Sequence, residues 1–303
     1  MTFLVKLRKK CDKCSQGTIK VYFNAIKRLR KLIDESDEIP TSDAKWLMSE
    51  KLMNAVKKQP INKRRHLSSA AFTATKVYNI KADNKWKTQM QADIAAYEAE
   101  RNKNKKSSHE EKNMPKNLNE LKKSAREYRK RIARIYDKAT PTIADLFKVQ
   151  KWLIIRLSYV IPFRNDLPTI NVEKQTGNFL KSVKKGFTIV MNTFKASDKI
   201  GAKEIKLNKA EVVVLKQFLK YRKNAKVDHD FLLTARSGKP MTKRGYSQIL
   251  SKTFEELLGK KVGVRILRVL YATEHKDIID KARDIQDKML HGNQKQTKNY
   301  TRK

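Results

Sequence analysis

Residues 265–300 read RILRVLYATEHKDIIDKARDIQDKMLHGNQKQTKNY. Arg265 and Arg268 open an amphipathic segment, and their spacing puts them on one face of a helix, from which both could grip one phosphate. A second helical pattern follows, with apolar residues at Ile278, Ala282, Ile285 and Met289. It ends at Leu290, His291 and Gly292, where the glycine suits a helix C-cap. Tyr300 stands beyond it. Taken alone, Tyr300 is a stray aromatic on a solvated tail; the spacing of the whole set points elsewhere.

The 303 residues carry 70 Lys and Arg against 31 Asp and Glu, a formal charge of +39, and the chain is long enough for two domains. The excess is spread along amphipathic segments that hold 39% hydrophobic residues, which suits a folded protein bound to a polyanion better than a disordered one. Nucleic acid is the first expectation. Every long apolar run is broken by Lys or Arg, so no transmembrane span or secretory segment is expected and the protein reads as intracellular. Cys11 and Cys14 are the only cysteines. They exclude a disulfide scaffold, and without a second pair or nearby histidines they read as two free thiols and not as half a zinc site.

From Ser15 the periodicity is helical, with Ile19, Tyr22, Phe23, Ile26, Leu29 and Ile33 on an apolar face and Lys20 and Lys27 among the cations elsewhere. A second helix is expected to carry Trp46, Leu47, Leu52, Met53 and Val56, ended by Pro60. A third, with Arg64 and Arg65 at its start, carries Leu67, Ala70, Ala71, Ala74, Val77 and Tyr78; a fourth carries Trp86, Met90, Ile94 and Tyr97. Residues 98–116 are almost devoid of apolar side chains and read as a linker.

Beyond it, a charged helix from Asn117 precedes the most apolar stretch of the chain, from Leu146 to Tyr159, which reads as the central buried helix and stops at Pro162 and Phe163, with Arg164 next. Alternation around Phe187, Ile189 and Met191, a polar turn at 195–201 and a second extended run at 204–207 predict a β-hairpin. Asn208 and Glu211 form a capping pattern, residues 230–233 read as a short buried strand, and Thr242 is expected to cap a helix with Lys243 and Arg244 in its first turn. The expected fold is mainly α with a small antiparallel β-sheet: a small N-terminal helical bundle at 1–97, a linker at 98–116 and an α+β domain at 117–303.

In chain order, Arg164, Lys195, Arg268, His291 and Tyr300 resemble the signature of the tyrosine recombinases, the phage-type integrases whose catalytic fold is shared with type IB topoisomerases. Pro162 and Phe163 stand where that family usually has Gly-Leu, Asp166 follows Arg164 one position closer than the usual glutamate, and Arg265 takes a place usually held by His or Lys. The resemblance implies a two-domain DNA clamp with a catalytic domain at 117–303. It implies Tyr300 as nucleophile forming a 3′-phosphotyrosine, Arg164 and Arg268 on the non-bridging oxygens, His291 as a donor to a non-bridging oxygen and Arg265 as a third cation. The general acid is a lysine on the hairpin turn, for which Lys195 is the best match, with Lys199 and Lys203 close by. Implied too are DNA contacts from Lys20, Lys27, Arg64, Arg65, Lys243 and Arg244, no cofactor or metal, and self-association as a tetramer on paired double-stranded DNA sites. The function expected is DNA recombination or integration in a virus or mobile element. A type IB topoisomerase and, more distantly, a non-catalytic basic DNA-binding protein are the alternatives.

Overall fold

The computed structural model describes residues 2–34, 36, 38–80, 85–103, 105–184 and 186–288, with side chains described as far as 282 at the C-terminal end. The chain divides into two compact units, Met1–Lys105 and Lys106–Lys303.

The first unit is helical: α1 (Phe3–Lys10), α2 (Gln16–Lys31), α3 (Lys45–Met48), α4 (Glu50–Lys57), α5 (Ile61–Val77) and α6 (Lys85–Asn102). Its core gathers Phe3, Leu7, Ile26, Leu29, Leu47, Leu52, Val56 and Trp86 around the small face of α5, where Ala70, Ala71 and Ala74 are fully buried and let neighbouring helices approach closely. Helix α1 was not expected from sequence; its two buried side chains, Phe3 and Leu7, are too few to write a period. The helix expected around Trp46 to Val56 is two, because Ser49 adopts an extended backbone and its hydroxyl caps α4 by accepting from Leu52 N.

In the second unit α7 (Ser108–Asn113), α8 (Leu118–Arg131) and α9 (Ala133–Tyr136) lead to the central α10 (Ile143–Val160). Thr142 and Asp145 form a capping box at the start of α10, and twelve of its residues are buried, so it is covered on nearly all sides. A 3₁₀ turn (Leu167–Thr169) is followed by β1 (Ile170–Asn171), β2 (Asn178–Val183), β3 (Gly186–Met191), α11 (Ser197–Ile200), β4 (Lys203–Lys206), α12 (Lys209–Asn224), α13 (Lys243–Leu258), α14 (Val264–Glu274) and α15 (Lys276–Lys288). The sheet has the order β1-β2-β3-β4, antiparallel except for the two-residue parallel pairing of β1 with β2. Gly186 opens β3 at φ 137, and a Cβ there would lie 2.7 Å from the Val212 side chain, so only glycine lets α12 pack this closely on the sheet. The strand expected at 230–233 is reduced to isolated bridges, Phe231 with Asn171 and Thr234 with Pro240. Tertiary contact holds this segment instead, since Thr234 N donates to the buried Gln150 Oε1 on α10 at 2.9 Å.

The polar stretch 98–116 is largely helical. Helix α6 runs to Asn102, and α7 is closed by a capping box in which Ser107 and Glu110 satisfy each other's backbone N–H. Glu110 and Asn113 are buried against the rest of the second unit: Glu110 pairs with Arg265 at 3.2 Å, and the Asn113 Oδ1 accepts from Lys261 N at 2.8 Å. A sequence with no apolar stripe can still form a helix where its polar groups find fixed partners. The segment left for a protease is therefore short. Trypsin is expected to cut first at the exposed Lys103, Lys105 and Lys106, leaving two stable fragments; protection there with first cuts elsewhere would overturn the division at this point.

Candidate active site

Arg164, Lys195 and Arg268 come from three separate parts of the second unit and line one cleft of about 360 Å³. Arg164 owes its place to the end of α10. Pro162 has no N–H to continue the helix and disfavours helical backbone at the residue before it, so Ile161 turns extended and Arg164 emerges exposed at the helix mouth. Arg268 is exposed on α14, whose core face buries Ile266, Leu267 and Leu270.

Lys195 sits in the connection between β3 and α11. Asn178, 2% exposed, anchors that connection: its Oδ1 accepts from Thr193 N and its Nδ2 donates to Thr193 O, each at 2.8 Å. One turn later the Ser197 hydroxyl donates to Phe194 O at 2.8 Å. Two residues before Lys195 the backbone is thus tied to β2, a constraint that single-strand periodicity does not reveal.

The cleft also holds Lys203, at the start of β4 and paired in register with Met191, which lines the same wall. Lys199 is not among the described residues lining it. Ile161, Phe163, Met191, Phe194, Ile200 and Ile205 also line the cleft. Arg268 titrates below its ordinary value, first because burial penalises its charge and then because Arg164 repels it, while Asp166 acts in the opposite sense. Two exposed guanidiniums lining one cleft, with a carboxylate on the same lining, carry the planar donors that suit the tetrahedral oxygens of a phosphate.

Arg265 is not brought to this cleft. Three residues subtend about 300° on a helix, leaving roughly 60° between the two arginines, and Arg265 turns to Glu110 of α7 with its side chain 82% exposed. Glu110 is held below the ordinary carboxylate range first by the Ser107 backbone N–H, with the Arg265 charge adding to the effect. His291 and Tyr300 lie outside the described residues.

The cations expected to touch DNA are placed unequally. Lys20 and Arg244 are exposed, and Lys27 lies 5.5 Å from the Phe23 ring centroid. Arg64 is committed inside the first unit: its Nε donates to the buried Asp93 at 2.7 Å. Arg65 packs its guanidinium 3.7 Å from the Tyr97 ring centroid, and Lys243 pairs with Asp166 at 2.8 Å. The signals missed in the sequence were Asn178 and the apolar residues that line the cleft. Among the described residues no group of three or more His, Cys, Asp or Glu is placed to hold a metal ion, and no helix is long and apolar enough to cross a membrane.

A helical unit followed by an α+β unit, with a buried central helix, a small sheet and arginines converging from the end of that helix and from α14, is the tyrosine-recombinase fold. The chain is similar to the crystal structure of XerH site-specific recombinase bound to palindromic difH substrate in a post-cleavage complex, with a TM-score of 0.53 and 16% identity over 99% of this chain and 80% of that one. The crystal structure of XerA recombinase aligns with a TM-score of 0.41 and 15% identity over 99% of this chain and 93% of that one. No protein-family model and no curated protein matches the sequence.

Proposed function

We propose that this protein is a site-specific DNA recombinase or integrase that breaks and rejoins strands through a covalent 3′-phosphotyrosine. The observation that carries the reading is the meeting of Arg164, Lys195 and Arg268 in one cleft, although 104 residues separate the first from the last (268 − 164). The XerH structure of the same fold holds a DNA substrate after cleavage. Double-stranded DNA is the proposed partner here, with protomers assembling as a tetramer on paired sites.

Breaking a phosphodiester requires a nucleophile, positive charge for the developing phosphorane and a proton for the leaving oxygen. Tyr300 attacks phosphorus and the DNA 3′-phosphate becomes an ester of its phenol. Arg164 and Arg268 hold the non-bridging oxygens with planar forks that fit phosphate better than an ammonium does. Lys195 protonates the departing 5′-oxygen, and His291 donates to a non-bridging oxygen. Because the tyrosyl ester retains the bond energy, a second 5′-hydroxyl can attack it and reseal the strand without ATP. Arg265, paired with Glu110, is left outside this scheme.

Incubation with supercoiled plasmid and with duplexes carrying candidate sites, stopped with detergent, is expected to trap a protein–DNA adduct. Its yield is expected to be unchanged in EDTA and binding to weaken steeply with salt as counterions are released. Strand cleavage that stops in chelator and leaves no adduct would point to a nuclease. Relaxation of plasmid without any site preference would move the assignment to a topoisomerase.

A further inference from the structure

Helix α13 begins with cations where the helix dipole favours anions: Lys243 and Arg244 follow the Thr242 cap, and its first turn contains no acidic residue. Lys243 is nonetheless held. Its Nζ donates to Asp166 Oδ1 at 2.8 Å, and the Asp166 side chain is 11% exposed against 55% for Lys243. Asp166 lines the cleft two residues after Arg164 and acts on Arg268 against the repulsion of Arg164. One largely buried carboxylate therefore pairs with a surface ammonium and lines the same cleft as Arg164 and Arg268.

We propose that Lys243 is a positioning residue of the cleft, acting through Asp166 on Arg268, and not a contact to the DNA backbone. The inference rests on the recombinase reading only for the chemistry that the positioning serves. With one oxygen committed to Lys243, the carboxylate has a fixed orientation and acts on Arg268 without closing on it in an ion pair. Remove Lys243 and the carboxylate is free to rotate and take an arginine fork in a bidentate pair, occupying N–H groups that the non-bridging oxygens need. Remove the Asp166 charge and Arg268 keeps the repulsion of Arg164 with no carboxylate acting against it. Either change re-aims the forks, and a displacement of ~1 Å at a reacting centre costs about 10²-fold.

The test is a double-mutant cycle read on two quantities. In single-turnover cleavage at saturating DNA, Lys243→Ala and Asp166→Asn are each expected to slow the bound complex by about 10-fold to 100-fold, with the double variant no slower than the slower single, since both disturb one contact. Lys243→Arg, which keeps the ion pair, is expected to recover most of the rate. Normal bound-state cleavage in Lys243→Ala with weaker binding and a salt slope smaller by about 1 would make Lys243 an ordinary phosphate contact and overturn the proposal. Additive losses would overturn it too. The second readout needs no chemistry: the Nε–Hε NMR resonance of Arg268, assigned by its disappearance in Arg268→Lys, is expected to shift in both Lys243→Ala and Asp166→Asn. A resonance that stays in place in both refutes the positioning role. Should Asp166→Asn fail to fold, Lys243→Ala against Lys243→Arg decides the question alone, because Lys243 is a surface side chain. Absence of any adduct from the wild-type protein would sink the recombinase reading and leave the NMR comparison to decide the pair's role.

Discussion

Tyr300→Phe is expected to abolish the covalent protein–DNA adduct while leaving DNA binding nearly intact. Phenylalanine keeps the ring and loses only the oxygen that would attack phosphorus, so no ester can form however well the phosphate is held. Affinity is expected to survive because it comes from elsewhere, from the counterions released by many cations and from the arginines proposed to hold the scissile phosphate, Arg164 and Arg268. Detergent-stable adduct and equilibrium binding, measured side by side on one duplex, separate the two effects. Adduct formation in the variant at the wild-type level would remove Tyr300 from the mechanism. A parallel loss of binding would mean that the variant reports on folding or docking and not on the nucleophile.

Lys195→Ala is expected to slow cleavage by roughly 10²–10⁴-fold, the usual contribution of a general acid. A 5′-alkoxide leaves poorly without a proton. If the bridging 5′-oxygen is replaced by sulfur, the thiolate leaves unaided and Lys195→Ala is expected to regain most of the wild-type rate. Arg268→Ala is expected to remain slow on the same substrate, because the place proposed for its guanidinium is at the non-bridging oxygens, which the sulfur does not replace. Lys203 makes this comparison necessary: it lines the same cleft, on a regular strand, whereas Lys195 is on an irregular turn. Sulfur rescue of Lys203→Ala in place of Lys195→Ala would transfer the acid to β4. Lys199, outside the described lining, is the control.

The α-helices were legible wherever an apolar stripe and a cap coincide. Thr142 with Asp145 opens α10, Thr242 opens α13, and Gly259 in left-handed backbone closes it. The hairpin of β3 and β4 was legible from the alternation of residue types, although burial does not follow it: β3 is buried except at Phe187, and β4 is exposed except at Ile205. β2 escaped: its three buried residues, Asn178, Phe179 and Leu180, are consecutive and carry no alternation. Helix α7 escaped for the opposite reason, since its buried groups are polar and their partners lie on and just before α14.

Among the site residues, Arg164 and Arg268 were readable because each stands beside a local event, a helix ended by proline and a helix with a buried face. The partner of a charge was not readable. Arg64 looked like a DNA contact and is bound to Asp93, 29 residues away; Lys243 looked the same and is bound to Asp166, 77 residues away; Arg265 looked paired with Arg268 and is bound to Glu110. Helical period, capping and turn chemistry act over a few residues, so the order of side chains along the chain is enough to write them. Which lysine enters the cleft, and which arginine is neutralised before DNA arrives, depends on distances between segments that sequence spacing does not encode, and an ion pair is settled over a few ångströms.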